Sequence, residues 1–214
     1  KFNLMEGTFT IQKMKWPDEW LQLARLYADH GFSLWMIGGS SRDLLLGKMP
    51  SDWDFVTDAT PEQEKQFLTD YSDAFAKFGS LKLKWMGKEA DITTLREEGE
   101  YLDGRHPSFI RFVTDLKTDS KRRDFTVNAL YIDPQGKVTD YHGGLEDLKK
   151  KTLRFIGDPV ARIQEDPLRI LRAERFAKRL EFTLEENAKD AMEKSRPLLS
   201  RLNPEKIAME KRKE

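Results

Sequence analysis

Apolar positions recur at two periods along the chain, and the alternation between the two predicts strands interleaved with helices, then helices alone. Residues 16–30 open with Pro17, Asp18 and Glu19, space Trp20, Leu23, Ala24 and Tyr27 at helical intervals and stop at Gly31. That pattern predicts a helix packed behind the first strand. Leu34, Trp35, Met36 and Ile37 form a short apolar run into Gly38 and Gly39, which predicts a buried strand. SSRDLLLG then predicts a helix with Ser40 or Ser41 near its cap. Residues 52–56 begin by alternating polar with apolar, so a strand there puts Asp52 and Asp54 on one face and Trp53 and Phe55 on the other. Thr60 and Pro61 start a further helix, which the spacing of Phe67, Tyr71, Phe75 and Phe78 carries to residue 78 with those aromatics in the core. Residues 81–98 divide into two strands around Gly87 and Lys88, and the polar stretch 100–107 is a loop.

The second half changes period. Lys121, Arg122 and Arg123 lead into an alternating strand ending near residue 133, and from Asp166 a helix carries Arg169, Arg172 and Arg175 along one side. Ile170, Leu171, Ala173 and Phe176 serve packing there. Residues 184–196 predict another amphipathic helix, and a third begins at Pro204.

Candidate chemistry concentrates in residues 33–60 and 121–180. Two glycines allow a sharp turn and close approach of a ligand, and a helix start beyond them offers exposed N–H groups to a phosphate. Hard carboxylate oxygens on one face, from Asp52 and Asp54, suit Mg²⁺ sharing its ligands with substrate phosphates. This predicts a metal-dependent phosphoryl-transfer site, and Asp91 on a neighbouring strand would complete a three-acid cluster. Arg122 and Arg123 offer planar forks to a triphosphate, with Asp124 and Asn128 placed to position them or a ribose. Asp166 accepts hydrogen bonds and Arg169 donates them, so together they present both halves of a base-edge pattern.

The string GGSSRDLLLGKMPSDWDFVTDATPEQ resembles the signature of the bacterial-type (class II) tRNA nucleotidyltransferase and poly(A) polymerase family, departing from it at Ser41, where a small apolar residue is usual. EYLDGRHP (100–107), RRDFTVNA (122–129), DYHGGLEDL (140–148) and EDPLRILRAERF (165–176) resemble its further motifs, so the likeness runs over nearly all of the chain. It implies an α/β head of the nucleotidyltransferase, polymerase-beta-like type with a small mixed sheet, followed by an all-α neck. The implied division is an N-terminal segment and leading helix in 1–30, the head in 31–140 and the neck in 141–214, with a hinge near Gly143 and Gly144 and without the family's body and tail. The implied catalytic residues are Asp52, Asp54 and Asp91, with Asp52 and Asp54 holding Mg²⁺. Gly38, Gly39, Arg42, Arg123, Asp166, Arg169, Arg172 and Arg175 match nucleotide-binding positions, Asp166 and Arg169 serving as the template for CTP and ATP. The 100–107 loop matches one associated with the switch from C to A addition. The implied function is template-independent addition of C and A to the 3′ end of tRNA. A-adding, CC-adding and poly(A)-polymerase activities, and a non-catalytic RNA- or nucleotide-binding module, stand as alternatives.

Composition adds less. The 37 basic and 37 acidic side chains balance, but residues 1–120 hold 15 Lys and Arg against 20 Asp and Glu while residues 121–214 hold 22 against 17. The net of −5 and then +5 fits metal-binding acids in the first part and a polyanion on the second. Absence of cysteine excludes disulfides, thiolate metal sites and a cysteine nucleophile. No apolar run approaches a membrane span, residues 1–10 lack the apolar core of a signal peptide, and a cytoplasmic location without membrane contact is the expectation. Starting at Lys1 and stopping within a charged helical stretch, the chain is expected to be a piece of something longer; no oligomeric state follows from it.

Overall fold

The computed structural model describes residues 15–213 with their side chains and residues 3–5 and 8–10 by backbone alone; the remainder of the expected N-terminal segment, and Glu214, lie outside the described residues. Strands β1 (Asn3–Met5) and β2 (Thr8–Thr10) precede helix α1 (Asp18–Asp29), then β3 (Leu34–Met36), α2 (Gly38–Leu45), β4 (Asp54–Thr57) and α3 (Pro61–Glu64). The head continues through β5 (Tyr71–Ser72), β6 (Ser80–Trp85), β7 (Lys88–Thr94), β8 (Arg96–Glu98), β9 (Ile110–Phe112), α4 (Leu116–Ser120), β10 (Leu130–Ile132) and β11 (Lys137–Asp140). Thereafter come α5 (Gly144–Lys149), β12 (Thr152–Leu153), α6 (Pro159–Glu165), α7 (Leu168–Leu180), β13 (Thr183–Leu184), α8 (Glu186–Ser195) and α9 (Pro204–Lys211). The architecture is therefore a mixed α/β head followed by a helical region, in which β12 and β13 make one short parallel pair.

Among the described residues a nine-stranded sheet runs in the order β1-β2-β11-β10-β3-β4-β7-β6-β5. Its parallel pair, β4 with β7, sets Asp54 opposite Asp91. The β6–β7 hairpin closes through Met86 and Gly87, with φ of 49° and 79°, the left-handed pair that matches strand twist. Helix α1 covers one face of the sheet: Trp20, Leu23 and Tyr27 are fully buried, and the Trp20 ring lies 5.5 Å from Trp53 and 5.1 Å from Phe55. Burying each such side chain is worth roughly 1.5–3 kcal/mol.

The helix expected from 61 to 78 is cut short. Thr60 and Gln63 form a reciprocal capping box, yet α3 ends at Glu64. Thr69, Asp70, Ser72 and Asp73 are weak helix formers, and Tyr71 pairs instead with Leu83 at the sheet edge. Phe75 and Phe78 are consequently 54% and 40% exposed rather than in the core. At the other end of the head the Asp140 carboxylate accepts bonds from the backbone N–H of His142, Gly144 and Leu145, and a Cβ at Gly144 would meet the Thr126 carbonyl at 2.1 Å. The expected hinge falls at this closely packed corner.

Beneath α1 the Tyr27 hydroxyl donates to Glu64 Oε1 at 2.6 Å, while Glu64 Oε2 is buried without a hydrogen-bond partner among the described residues. Burial pushes the Glu64 carboxyl up to about 8 from its ordinary 4.5, against the smaller downward pull of the tyrosine. Between those values the folded chain carries a proton that unfolding releases, so this contribution to stability is complete below the unfolded value and disappears as pH rises through the folded one. Glu64→Gln is expected to remove the slope: its urea midpoint gains on the wild type between about pH 5 and about pH 9, and parallel midpoints over that range would refute the assignment.

Candidate active site

Met36 on β3 pairs with Phe55 on β4, so the turn after β3 and the start of β4 are neighbours. Gly38 has φ +64°, and a Cβ built on it would lie 3.6 Å from Asp54 Oδ2; the turn sits directly against the carboxylate. Helix α2 starts at Gly38, with Ile37 as its cap, so Ser40 and Ser41 lie inside the helix and not at its cap as expected. Ser40 instead bridges two backbone groups. Its hydroxyl accepts from the Asp54 N–H at 2.7 Å and donates to the Asp52 carbonyl at 2.9 Å, clamping the 52–54 turn to α2. Asp52 consequently stands in a bend ahead of β4 and is exposed, whereas Asp54 is the first residue of the strand and half-buried. Burial first, then the charges of Asp91 and Asp52, push the Asp54 carboxyl up to about 6, against Arg123 and Arg42.

Asp52, Asp54, Gly38, Gly39, Arg42 and Arg123 line one side of a cleft of about 570 Å³, and Asp166, Arg169 and Arg172 line the other. That volume suits a small-molecule ligand. Two expected members are missing from it. Asp91 lies one strand further from the glycine turn, opposite Lys82 on β6, and faces a neighbouring hollow that Asp52 also borders. The expected three-acid cluster is thus divided between the two hollows, with Asp52 and Asp54 on the cleft and Asp91 on the adjoining strand, and among the described residues no ready-made group of three His, Cys, Asp or Glu ligands is found.

Arg175 is the second. Each residue turns a helix by about 100°, so repeated steps of three drift by about 60°, and six residues beyond Arg169 the side chain has left the cleft face. Phe176 and Arg179 come round to that face instead. Arg175 is buried, donating to Glu210 of α9 at 2.8 Å and lying over the Phe176 ring at 4.8 Å.

The arginines of the head are held by polar partners, of which sequence reasoning passed over Asp119. Asp119, at the end of α4 and fully buried, accepts from Arg122 Nε at 3.0 Å, Arg123 Nε at 3.1 Å, the Tyr131 hydroxyl at 2.6 Å and the Arg96 backbone N–H at 3.0 Å. Burial, which would raise its carboxyl, is outweighed by Arg123 and Arg122, and Asp119 is held well below the usual carboxylate range. The signal was present as spacing: three and four residues separate it from Arg122 and Arg123. Arg42 is 2% exposed, donating to Asn128 Oδ1 at 2.7 Å and to Asp43. Arg172 pairs with Asp124.

On the neck side Asp166 ends α6; its Oδ1 accepts from the Leu168 N–H at 3.2 Å and its Oδ2 from Arg105 of the 100–107 loop at 2.5 Å. Arg169 Nη1 donates to Glu165 at 2.8 Å, and its guanidinium lies 5.4 Å from the Tyr101 ring centre. Tyr101, Arg105, Arg96, Phe176 and Arg179 all line the cleft without having been singled out for it from sequence.

A family model described as the poly A polymerase head domain matches residues 34–154. A CCA-adding enzyme of Bacillus licheniformis is 39% identical over 190 residues, 89% of this chain and 48% of that protein, and one of Lactobacillus helveticus is 39% identical over 203 residues, 94% and 51%. The crystal structure of the Bacillus stearothermophilus CCA-adding enzyme in complex with CTP superposes with a TM-score of 0.82 at 33% identity, covering 90% of this chain and 47% of that one. A tRNA nucleotidyltransferase complexed with a primer tRNA and an incoming ATP analogue gives a TM-score of 0.71 at 32% identity, over 89% and 55%. The chain spans about half the length of the curated relatives it matches. None of these likenesses carries a cellular location, and the cytoplasmic expectation, which rested on absences, is withdrawn. No helix among the described residues is long and apolar enough to cross a membrane.

Removing one partner from a buried ion cluster strands the others. Asp119→Ala is expected to cost roughly 3–5 kcal/mol of stability in urea unfolding, because two guanidinium groups lose their counter-charge; a loss under about 1 kcal/mol would contradict the assigned role.

Proposed function

The chain belongs to the class II tRNA nucleotidyltransferase and poly(A) polymerase family, and on that premise we propose that it transfers nucleotides from CTP and ATP to the 3′ end of tRNA, building or repairing the CCA terminus. The observation that carries this reading is the shared cleft, with Asp52 and Asp54 on one wall and Asp166 and Arg169 on the other. The proposed division of labour keeps an N-terminal segment and leading helix (1–30), whose strands extend the head sheet, with the head (31–140) and neck (141–214), the cleft lying between the last two.

The donor set fits a hard divalent cation. Asp54 is pushed up to about 6 by burial and by its acidic neighbours Asp91 and Asp52, a repulsion that such a cation relieves. Asp52 and Asp54 would hold Mg²⁺, while Asp91 acts on Asp54 through its charge from the next strand. Bound there, Mg²⁺ supplies Lewis-acid activation of the RNA 3′-hydroxyl and neutralisation of the pyrophosphate leaving group. Arg123 and Arg172, with Arg122, grip the triphosphate, and Gly38 and Gly39 let it approach the backbone. Arg42, buried under the cleft, adds positive potential from its floor. Asp166 accepts from the exocyclic amine shared by cytosine and adenine, and Arg169 donates to the adjacent ring nitrogen. In the described state Arg105 occupies Asp166 Oδ2, so an incoming base shares that carboxylate with the loop or displaces it. This reach of the 100–107 loop into the template supports A addition alongside C addition. Orientation and charge neutralisation then carry the rate.

Labelled CTP and ATP, supplied singly and together to tRNA lacking its CCA end, test the reading. Incorporation of both is expected, with a loss of roughly 10²-fold or more in Asp54→Ala. Equal incorporation by the variant removes Asp54 from the mechanism, and incorporation of ATP alone, in long runs, shows a poly(A) polymerase instead.

A further inference from the structure

Arg162, on α6, joins the two halves of the cleft without lining it. Its Nη2 donates to the backbone carbonyls of Arg122 at 2.7 Å and Arg123 at 2.9 Å, and its Nη1 donates to Glu165 Oε2 at 2.7 Å. In the other direction, the Arg162 carbonyl accepts from Arg169 Nη1 at 2.7 Å, and the same Glu165 oxygen accepts from that nitrogen at 2.8 Å. One residue thus grips the turn that carries the phosphate-facing arginines and, through its carbonyl and Glu165, fixes the guanidinium that faces the base.

Local sequence explains why that carbonyl is free to do so. Asp158 caps α6 by accepting from the Ala161 N–H at 3.0 Å, and Pro159 starts the helix, setting its register. Pro167 interrupts the helix shortly afterwards, since proline has no N–H to continue the ladder. The intrahelical bond to the Arg162 carbonyl, from the Asp166 N–H, stretches to 3.4 Å. A carbonyl at a helix C-terminus carries partial negative charge, and the Arg169 guanidinium completes it. Arg162 is 11% exposed in its side chain, and bonds at both ends leave it little rotamer freedom.

We propose that Arg162 is a positioning residue for nucleotide selection: it sets the distance between the phosphate grip of Arg122 and Arg123 and the base-reading edge of Arg169, so that only a base of the right edge pattern reaches Asp166 and Arg169 while its triphosphate is held. The proposal rests on the functional reading of the cleft given above. Losing the staple leaves the carboxylates and the triphosphate grip in place but lets the two halves shift against one another. Geometric tolerance of wrong bases therefore rises more than affinity for triphosphate falls.

Arg162→Gln and Arg162→Lys separate this from a purely structural role. In the whole chain, kcat/KM is measured for CTP, ATP, UTP and GTP on tRNA lacking its CCA end, and binding of CTP and of inorganic tripolyphosphate by calorimetry. In Arg162→Gln the ratio of kcat/KM for CTP over UTP is expected to fall roughly tenfold, the scale of one lost charge-assisted hydrogen-bond set. Tripolyphosphate affinity stays within about threefold, since its ligands are untouched. Lysine retains a donor for the Arg122 carbonyl and restores part of the selectivity. A variant that scales all four nucleotides down equally, with the ratio unchanged, overturns the proposal and leaves the reading of the cleft standing. A wild-type chain indifferent to base identity overturns both.

Discussion

A buried carboxylate holding guanidinium groups is the constraint from which the cleft follows. A site that binds a triphosphate needs several positive charges close together, and those charges repel one another and resist burial until anions are built among them. Asp119 does this for the head: no part of it is exposed, and Arg122, Arg123, Tyr131 and the Arg96 backbone all donate to it. Because those donors come from β8, β10 and the turn after α4, satisfying one carboxylate also brings three segments into register. Asp124 with Arg172, Asp43 with Arg42, and Glu165 with Arg169 repeat the arrangement around the rim.

Pinned guanidinium groups have a functional consequence. Long flexible side chains lose rotamer freedom when they grip a ligand, at about 0.5–1.5 kcal/mol each, and here that loss is incurred during folding. The carboxylates show the opposite treatment. Asp52 is exposed and Asp54 is pushed up by its acidic neighbours, so the cleft holds paired cations on most of its walls and unrelieved anions at one place, next to Gly38. A polyanion and a divalent cation are complementary to these two regions respectively.

Much of the framework was legible in the residue pattern because it depends on local periodicity. The α1 face of Trp20, Leu23 and Tyr27, the apolar β3 run and the hairpin around Gly87 all follow from spacing and turn chemistry, and each is where the pattern placed it. The failures have a common cause, which is that tertiary partners decided the outcome. Residues 65–78 carry a helical spacing of aromatics, but Tyr71 found a strand partner in Leu83 and the helix stopped. Arg175 kept the three-residue step of Arg169 and Arg172, yet helical drift and Glu210 turned it away from the cleft. Asp91 sits in register with Asp54 as a strand reading allows, but it borders the neighbouring hollow and not the cleft. Arg162 was overlooked because nothing in an arginine inside ARIQED reveals which distant carbonyl it meets, whereas Asp119 stood at helical spacing from Arg122 and Arg123 and only its burial against Tyr131 and the Arg96 backbone was hidden.

The claim on which all of this rests is that one nucleotide spans the cleft, its phosphates beside Asp52 and Asp54 and its base against Asp166 and Arg169. A crystal structure of the chain with CTP and Mg²⁺ measures it directly. The account predicts the triphosphate among Arg122, Arg123 and Arg172 with the cytosine amine on the Asp166 carboxylate. A triphosphate seated instead in the hollow beside Lys82 and Asp91, or a base out of hydrogen-bond reach of Asp166, would contradict it.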